Sequence, residues 1–225
     1  MVLENIRSIT GRIHDTCRKI SKDPSEVELV CVTKGVSLDA IEEALASGVT
    51  TFGENRVQEA LVKYDSIDGR ALWHLVGHLQ TNKVKDAVSI FSLIHSIDSA
   101  RLAKEIDKEA SRIDKVQDIL IQVNVSGEES KFGVRSEEAV DFFKSILLYP
   151  NINIKGLMTI APETANPEKS RPCFRGLREL LGNINSLGLT PSPLRILSMG
   201  MTDDFEVAIE EGSTMVRIGR GIFND

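Results

Sequence analysis

The chain has 225 residues, 41% of them apolar and 27% charged, with a formal net charge of −6. That length and composition suit one globular domain with one sizeable core, expected to span 1–225. No apolar run reaches the roughly 18 residues that cross a bilayer, the N-terminus carries charges throughout instead of a leader core, and a mildly acidic chain is a poor partner for nucleic acid; the cytoplasm is the expected compartment.

Val2, Ile6, Ile9, Ile13, Cys17 and Ile20 recur at helical spacing and predict an opening helix. ELVCVTKG (28–35) is the first predicted strand, followed by a helix from Leu38 to Ser47. VTTFGEN (49–55) is the second, with a helix from Arg56 to Tyr64. LWHLVGH (72–78) is the third, after which His78, Gln80, Asn82 and Lys83 lead into a helix. IFSLIHSID (90–98) is the fourth, with a helix from Asp98 to Ile113, and DILIQVNVS (118–126) is the fifth, with a helix from Ser136 to Leu148. INIKGLMTIAP (152–162) is the sixth; the proline-rich stretch 161–172 reads as the loop after it, and a helical pattern runs from Glu168 to Leu187. LRILSMG (194–200) and TMVRIGRG (214–221) are the seventh and eighth, with a helix from Asp203 to Glu211 between them. Ser37, Asp98, Ser136 and Asp203 stand where N-caps belong, and Gly48, Gly188 and Gly212 where helices stop.

Eight strands alternating with helices argue for a parallel sheet covered on both faces. With no linker or half-boundary in the chain, an α/β fold of the closed (β/α)8 TIM-barrel type, carrying an additional N-terminal helix, fits better than an open doubly wound sheet. Cys17, Cys31 and Cys173 are far apart and odd in number, and are expected to be reduced and buried. His74 and His78 are four apart, but Gly77 and a strand lie between them, and His14 and His95 supply no third ligand; no metal site is expected.

Lys34 closes an apolar strand and is followed by Gly35. A barrel strand end delivers its side chain to the carboxyl-end mouth, where a partly desolvated amine can attack an aldehyde. LSMGMTDDF places Ser198, Gly200 and Thr202 in a turn opening a helix, and VRIGRG adds Gly219 and the Arg220 amide. Loops after strands seven and eight commonly form barrel phosphate sites. A ligand with a phosphate at one end and an aldehyde at the other fits both features. Arg217 lies among Met215, Val216 and Ile218, and a buried Arg needs a partner. The alternatives are a barrel carboxylate or the ring nitrogen of pyridoxal 5'-phosphate (PLP), which an Arg leaves unprotonated and so weakens as an electron sink.

The stretches VTKG (32–35), FGENRVQE (52–59), WHLVGHLQTNK (73–83), IQVNVSGEESKFG (121–133), GLMTIAP (156–162), LSMGMTDDFEVAI (197–209) and MVRIGRGIF (215–223) together resemble the pyridoxal phosphate homeostasis proteins, whose fold is similar to the N-terminal barrel domain of alanine racemase. The resemblance implies PLP held as a Schiff base on Lys34. It implies phosphate contacts from Ser198, Met199, Gly200, Thr202, Gly219 and Arg220, many through main chain, and Arg217 facing the pyridine nitrogen. Asn55 and Met158 match pocket-lining positions. Position 220 is often small or hydroxylic in the family; the Arg220 amide here can still serve the phosphate, and its side chain can add a direct ion pair to that phosphate or point outward. Lys83 offers an amine to a second anion or a partner, although a solvated surface position fits it better, and Lys131 receives no chemistry from the sequence.

Two functional classes follow. The first is a PLP-binding protein that stores, delivers or buffers the cofactor, expected as a monomer, without efficient catalysis and with PLP-dependent apoenzymes as transient recipients. The second is a PLP-dependent amino-acid racemase. Racemisation needs an acid–base group on each face of the substrate carbon. The only tyrosines, Tyr64 and Tyr149, fall away from the predicted mouth. A barrel for some other phosphorylated metabolite is the third, blander reading.

Overall fold

The computed structural model describes residues 1–67, 69–128 and 131–224. Glu129 and Ser130 of the 121–133 motif, and Asp225, lie outside the described residues. In chain order the elements are α1 (Val2–Lys19), β1 (Glu28–Val32), α2 (Leu38–Ala46), β2 (Thr51–Glu54), α3 (Val57–Ile67), β3 (Leu72–Leu75), α4 (Val84–Ile90), β4 (Leu93–Ile97) and α5 (Ala100–Ser111). There follow β5 (Gln117–Asn124), β6 (Val134–Arg135), α6 (Ala139–Ile146), β7 (Ile152–Met158), α7 (Arg171–Ser186), β8 (Ile196–Ser198), α8 (Phe205–Glu210), β9 (Met215–Ile218) and α9 (Arg220–Phe223). All strand pairs are parallel. Their order is β4-β3-β2-β1-β9-β8-β7-β5, and β4 also pairs with β5, so eight strands close into the predicted barrel. The two-residue β6, absent from the sequence reading, adds to the edge of β5.

Continuous apolar strands follow from this closure, because one face meets the helices and the other the barrel interior. On β4 every residue is buried. The helices are amphipathic for the same reason: α7 buries Cys173, Phe174, Leu177, Leu180, Leu181 and Ile184 along one stripe, each large side chain worth about 1.5–3 kcal/mol on full burial. The last helix of the barrel, α9, has four residues, and α1 packs beside it and α8, covering the face it leaves short. Asn5 Nδ2 donates to the Ile222 carbonyl at 3.0 Å, and Arg12 holds both oxygens of Glu206 at 3.1 and 3.0 Å.

Of the predicted caps, Ser37 accepts from the Ala40 amide at 3.4 Å, as expected. The other three are displaced by one or two residues: the cap positions are Ser99, Glu138 and Asp204, none with a side-chain cap bond. Asp204 instead accepts from the Met201 amide, bracing the loop before α8. Gly48, Gly188 and Gly212 all have positive φ and end their helices as predicted. The three cysteines are free and buried.

Inside the barrel, Val30, Val32, Leu93, Leu120, Met158 and Met215 form an apolar plug, with Val76 above β3. The same inward parity also carries polar side chains among these apolar ones: His74, His95, Gln122, Ser198 and Arg217, all buried.

Candidate functional site

Lys34 sits two residues past β1, exposed, in a β-turn closed by the Val36 amide on the Thr33 carbonyl at 3.0 Å. Gly35 is the third residue of that turn with φ +70°, the position that selects glycine. Thr33, just before the lysine, is gripped from several sides. Its amide donates to Gly53, its hydroxyl to Glu54 Oε1 at 2.6 Å, and its carbonyl accepts from Lys63 Nζ at 2.6 Å. Lys63 also meets Glu54 Oε1 at 2.6 Å in a buried ion pair between α3 and β2. Thr33 therefore forms a rigid base for the flexible amine.

Lys34 lines a cavity of about 720 Å³ at the carboxyl ends of the strands. Asn55, Thr202, Arg217, Gly219 and Arg220 line it too. The register of β1 on β9 pairs Cys31 with Ile218, which sets Lys34 two residues beyond the position opposite Gly219. A Cβ on Gly219 would stand 3.2 Å from the Val32 carbonyl oxygen, so a side chain there would crowd the strand that carries Lys34. A Cβ at Gly77 would lie 2.3 Å from the Asn55 carbonyl oxygen, and Gly77 thus lets β3 pass close to the backbone of this cavity residue.

The loops after β8 and β9 are laced together. Thr202 Oγ1 accepts from the Gly221 amide at 3.2 Å, and Arg220 Nη2 pairs with Asp203 Oδ2 at 2.7 Å. The exposed Arg220 side chain is thus paired with Asp203 on the protein's own surface. Among the described residues the backbone amides of Thr202 and Arg220 have no hydrogen-bond partner, leaving two donors for an anion. Burial pushes the carboxyl of Asp204, a neighbour in the lining, above its ordinary range.

Met158, Ser198, Met199 and Gly200, the other expected contacts, lie beneath the lining. Met158 belongs to the apolar plug. The Met199 amide is taken by the Met215 carbonyl, and its side chain is fully buried. Gly200 has φ +93°, and a Cβ there would stand 2.6 Å from Ala208 Cβ, so the tight turn into α8 requires glycine. Ser198 points into the barrel, where its hydroxyl meets Arg217 Nη1 at 2.7 Å and His95 Nδ1 at 2.9 Å.

Arg217 is buried, and its hydrogen-bond partners are neutral: the Ser198 hydroxyl and the Thr159 carbonyl, the latter at 2.9 Å from Nη2. Desolvation lowers its pKa to about 10, with the Asp204 carboxylate opposing the shift, so it remains cationic near neutrality. The cavity lining also includes His78, stacked on Phe132 with ring centroids 4.0 Å apart, and Lys131, whose Nζ is 3.4 Å from Glu128 Oε1.

Sequence reasoning missed the Lys63–Glu54 pair and the inward histidines. The histidines had been weighed only as metal ligands. Their signal was parity: His95 alternates with Leu93, and His74 with Val76, on strands whose intervening residues face the helices.

A β/α barrel with a lysine-bearing turn and the loops after its last two strands lining one cavity at its mouth defines a class: residues 10–225 match the family described as the alanine racemase N-terminal domain. Within it, the chain is 44% identical over 223 residues to the pyridoxal phosphate homeostasis protein of Aquifex aeolicus, covering 99% of this chain and 97% of that one. It is 38% identical to the protein of the same name from Pseudomonas aeruginosa, with 99% and 94% covered. The structure of PipY from Synechococcus elongatus with PLP bound superposes with a TM-score of 0.87 at 31% identity, covering 100% of both chains. The chain belongs to the pyridoxal phosphate homeostasis protein family.

Proposed function

We propose that this protein binds PLP as a Schiff base on Lys34 and acts in PLP homeostasis, storing, delivering or buffering the cofactor without efficient catalysis. One observation carries the reading: Lys34, the Arg217 guanidinium and the Thr202, Gly219 and Arg220 loops line the same cavity. The donor set fits the cofactor. Unpartnered amides at Thr202 and Arg220 and the narrow cleft at Gly219 suit a phosphate, and the Arg217 cation suits a ring nitrogen that accepts a hydrogen bond. PLP, once bound, supplies a reactive aldehyde and an electron sink; the protein supplies grip and orientation. Asn55, the residue after β2, would border the ring, and Met158, Ser198, Met199 and Gly200 would support the site from below. The PLP bound to the PipY relative supports the same reading.

Tyr64 and Tyr149 pack against the core, outside the cavity lining, which weighs for a carrier over a two-base racemase. PLP-dependent apoenzymes are the recipients such a carrier serves. The test is a visible absorbance band on adding PLP, lost on borohydride reduction, with mass spectrometry placing the reduced adduct on Lys34 and the Lys34→Ala variant lacking it. A protein that PLP fails to colour overturns the PLP reading. Interconversion of D- and L-amino acids at about 1 s⁻¹ or faster, within the enzymatic range, overturns the carrier reading.

A further inference from the structure

The barrel interior below the cavity holds a chain of polar groups contributed by separate strands. Arg217 Nη1 meets Ser198 Oγ at 2.7 Å, Ser198 Oγ meets His95 Nδ1 at 2.9 Å, and His95 Nε2 meets His74 Nδ1 at 3.2 Å. The two rings sit 5.1 Å apart between centroids. All four residues are buried, so each hydrogen bond left unmade would be costly.

The chemistry of the donors fixes which way each proton points. A guanidinium has no acceptor, so Arg217 must donate to Ser198. The serine oxygen then has one hydrogen to place, and among the described residues its only other polar neighbour is His95 Nδ1. If His95 instead donated from Nδ1, the serine hydroxyl hydrogen would be stranded in the barrel. His95 Nδ1 is therefore bare and its proton sits on Nε2, from which it donates to His74 Nδ1. His74 in turn carries its proton on Nε2. A second proton on either imidazole would place like charges together in a desolvated interior.

We propose that His95 and His74, acting through Ser198, are positioning residues for Arg217: a proton-ordered chain of neutral Nε2–H imidazoles that fixes the guanidinium as a donor facing the cavity. Every dipole in the chain turns its negative end toward the arginine, which has no carboxylate within hydrogen-bonding distance among the described residues. The order thereby stabilises a buried cation whose charge is left free to act on a ligand above it. Burial also lowers the pKa of His74 to about 4 and that of His95 well below its ordinary value, in keeping with neutral rings. The proton order stands without any ligand; its effect on PLP rests on the reading that Arg217 faces the pyridine nitrogen.

The test is two-bond 1H–15N correlation NMR of the PLP-free protein at pH 7, assigned with His74→Gln and His95→Gln variants. His74 and His95 are expected as neutral Nε2–H tautomers, and the Nδ1–H tautomer or a protonated ring at either overturns the proposal. Because this spectrum is read without cofactor, its outcome is independent of whether Lys34 takes up PLP. Ser198→Ala removes the hydroxyl that sets the order, and an Nδ1–H population is expected to appear at His95. In the same variant PLP binding is expected to weaken roughly tenfold, the loss of about one hydrogen bond to a charged group, with Ser198→Thr restoring both readouts. A Ser198→Ala protein with the native tautomers and native PLP affinity overturns it as well.

Discussion

Lys63→Met isolates the ion pair beneath the lysine-bearing turn. Methionine retains most of the buried methylene volume, so the change removes charge and hydrogen bonds with little cavity. What remains is Glu54, fully buried, with one oxygen still receiving the Thr33 hydroxyl and Oε2 without a hydrogen-bond partner among the described residues. Removing one partner of a buried pair costs about 3–5 kcal/mol. The lost bond to the Thr33 carbonyl adds about 1 kcal/mol, and the surviving Thr33–Glu54 bond offsets a similar amount. A destabilisation of about 4 kcal/mol follows, which for a chain of this size lowers Tm by roughly 8–16 °C. The double variant Lys63→Met/Glu54→Leu removes the stranded carboxylate and is expected to recover to within about 1 kcal/mol of the native protein. Urea unfolding followed by circular dichroism, with m unchanged, reads both numbers. If Lys63→Met costs less than about 1 kcal/mol, or the double variant is no more stable than Lys63→Met, the pair is not acting as a desolvated couple and the argument for its grip on Thr33 fails.

Three further outcomes are expected. Both inward histidines have folded pKa values below their unfolded ones, so the stability they contribute is present above pH 6.5 and is lost as pH falls below it, for His74 toward about 4; His74 alone accounts for about 2 kcal/mol between pH 7 and 5, and urea titrations of His74→Gln should show that part of the slope gone. Gly156→Ala would set a Cβ 1.9 Å from the Ile196 carbonyl oxygen, forcing β7 from β8; a loss of several kcal/mol or failure to fold is expected, and near-native Tm contradicts it. Gly182→Ala, on the exposed side of α7 with nothing within 4 Å of the new methyl, should instead raise stability by about 0.5–1 kcal/mol in the same assay.

What could be read from the sequence was whatever local chemistry determines. The helix-ending glycines and the glycine-rich loops after the last two strands each report a backbone conformation that only a few residues adopt, and the barrel followed from eight repetitions of strand and helix, whereas Lys34, read as closing the first strand, lies in a turn two residues past it. The caps were harder, because Asp98 and Ser99 are both residue types that suit the start of α5, and the cap falls on Ser99 without a side-chain cap bond. The hydrogen-bonded chain from Arg217 to His74 was least accessible. His95 is 21 residues from His74 and 103 from Ser198, and only barrel closure brings them together.

Ser198 makes the physical point sharpest. Read along the chain, it belongs to a hydroxyl- and glycine-rich turn and looks like a phosphate ligand; read across the sheet, it shares parity with Ile196 and must face the interior, where Arg217 already waits two residues beyond Met215 on the neighbouring strand. An arginine inside an apolar strand obliges its neighbours of the same parity to supply acceptors, since unpaired guanidinium hydrogens cannot be left in a dry barrel. Marking inward positions strand by strand therefore exposes polar layers that motif reading passes over, and here that layer forms the support on which the Arg217 side of the cavity rests.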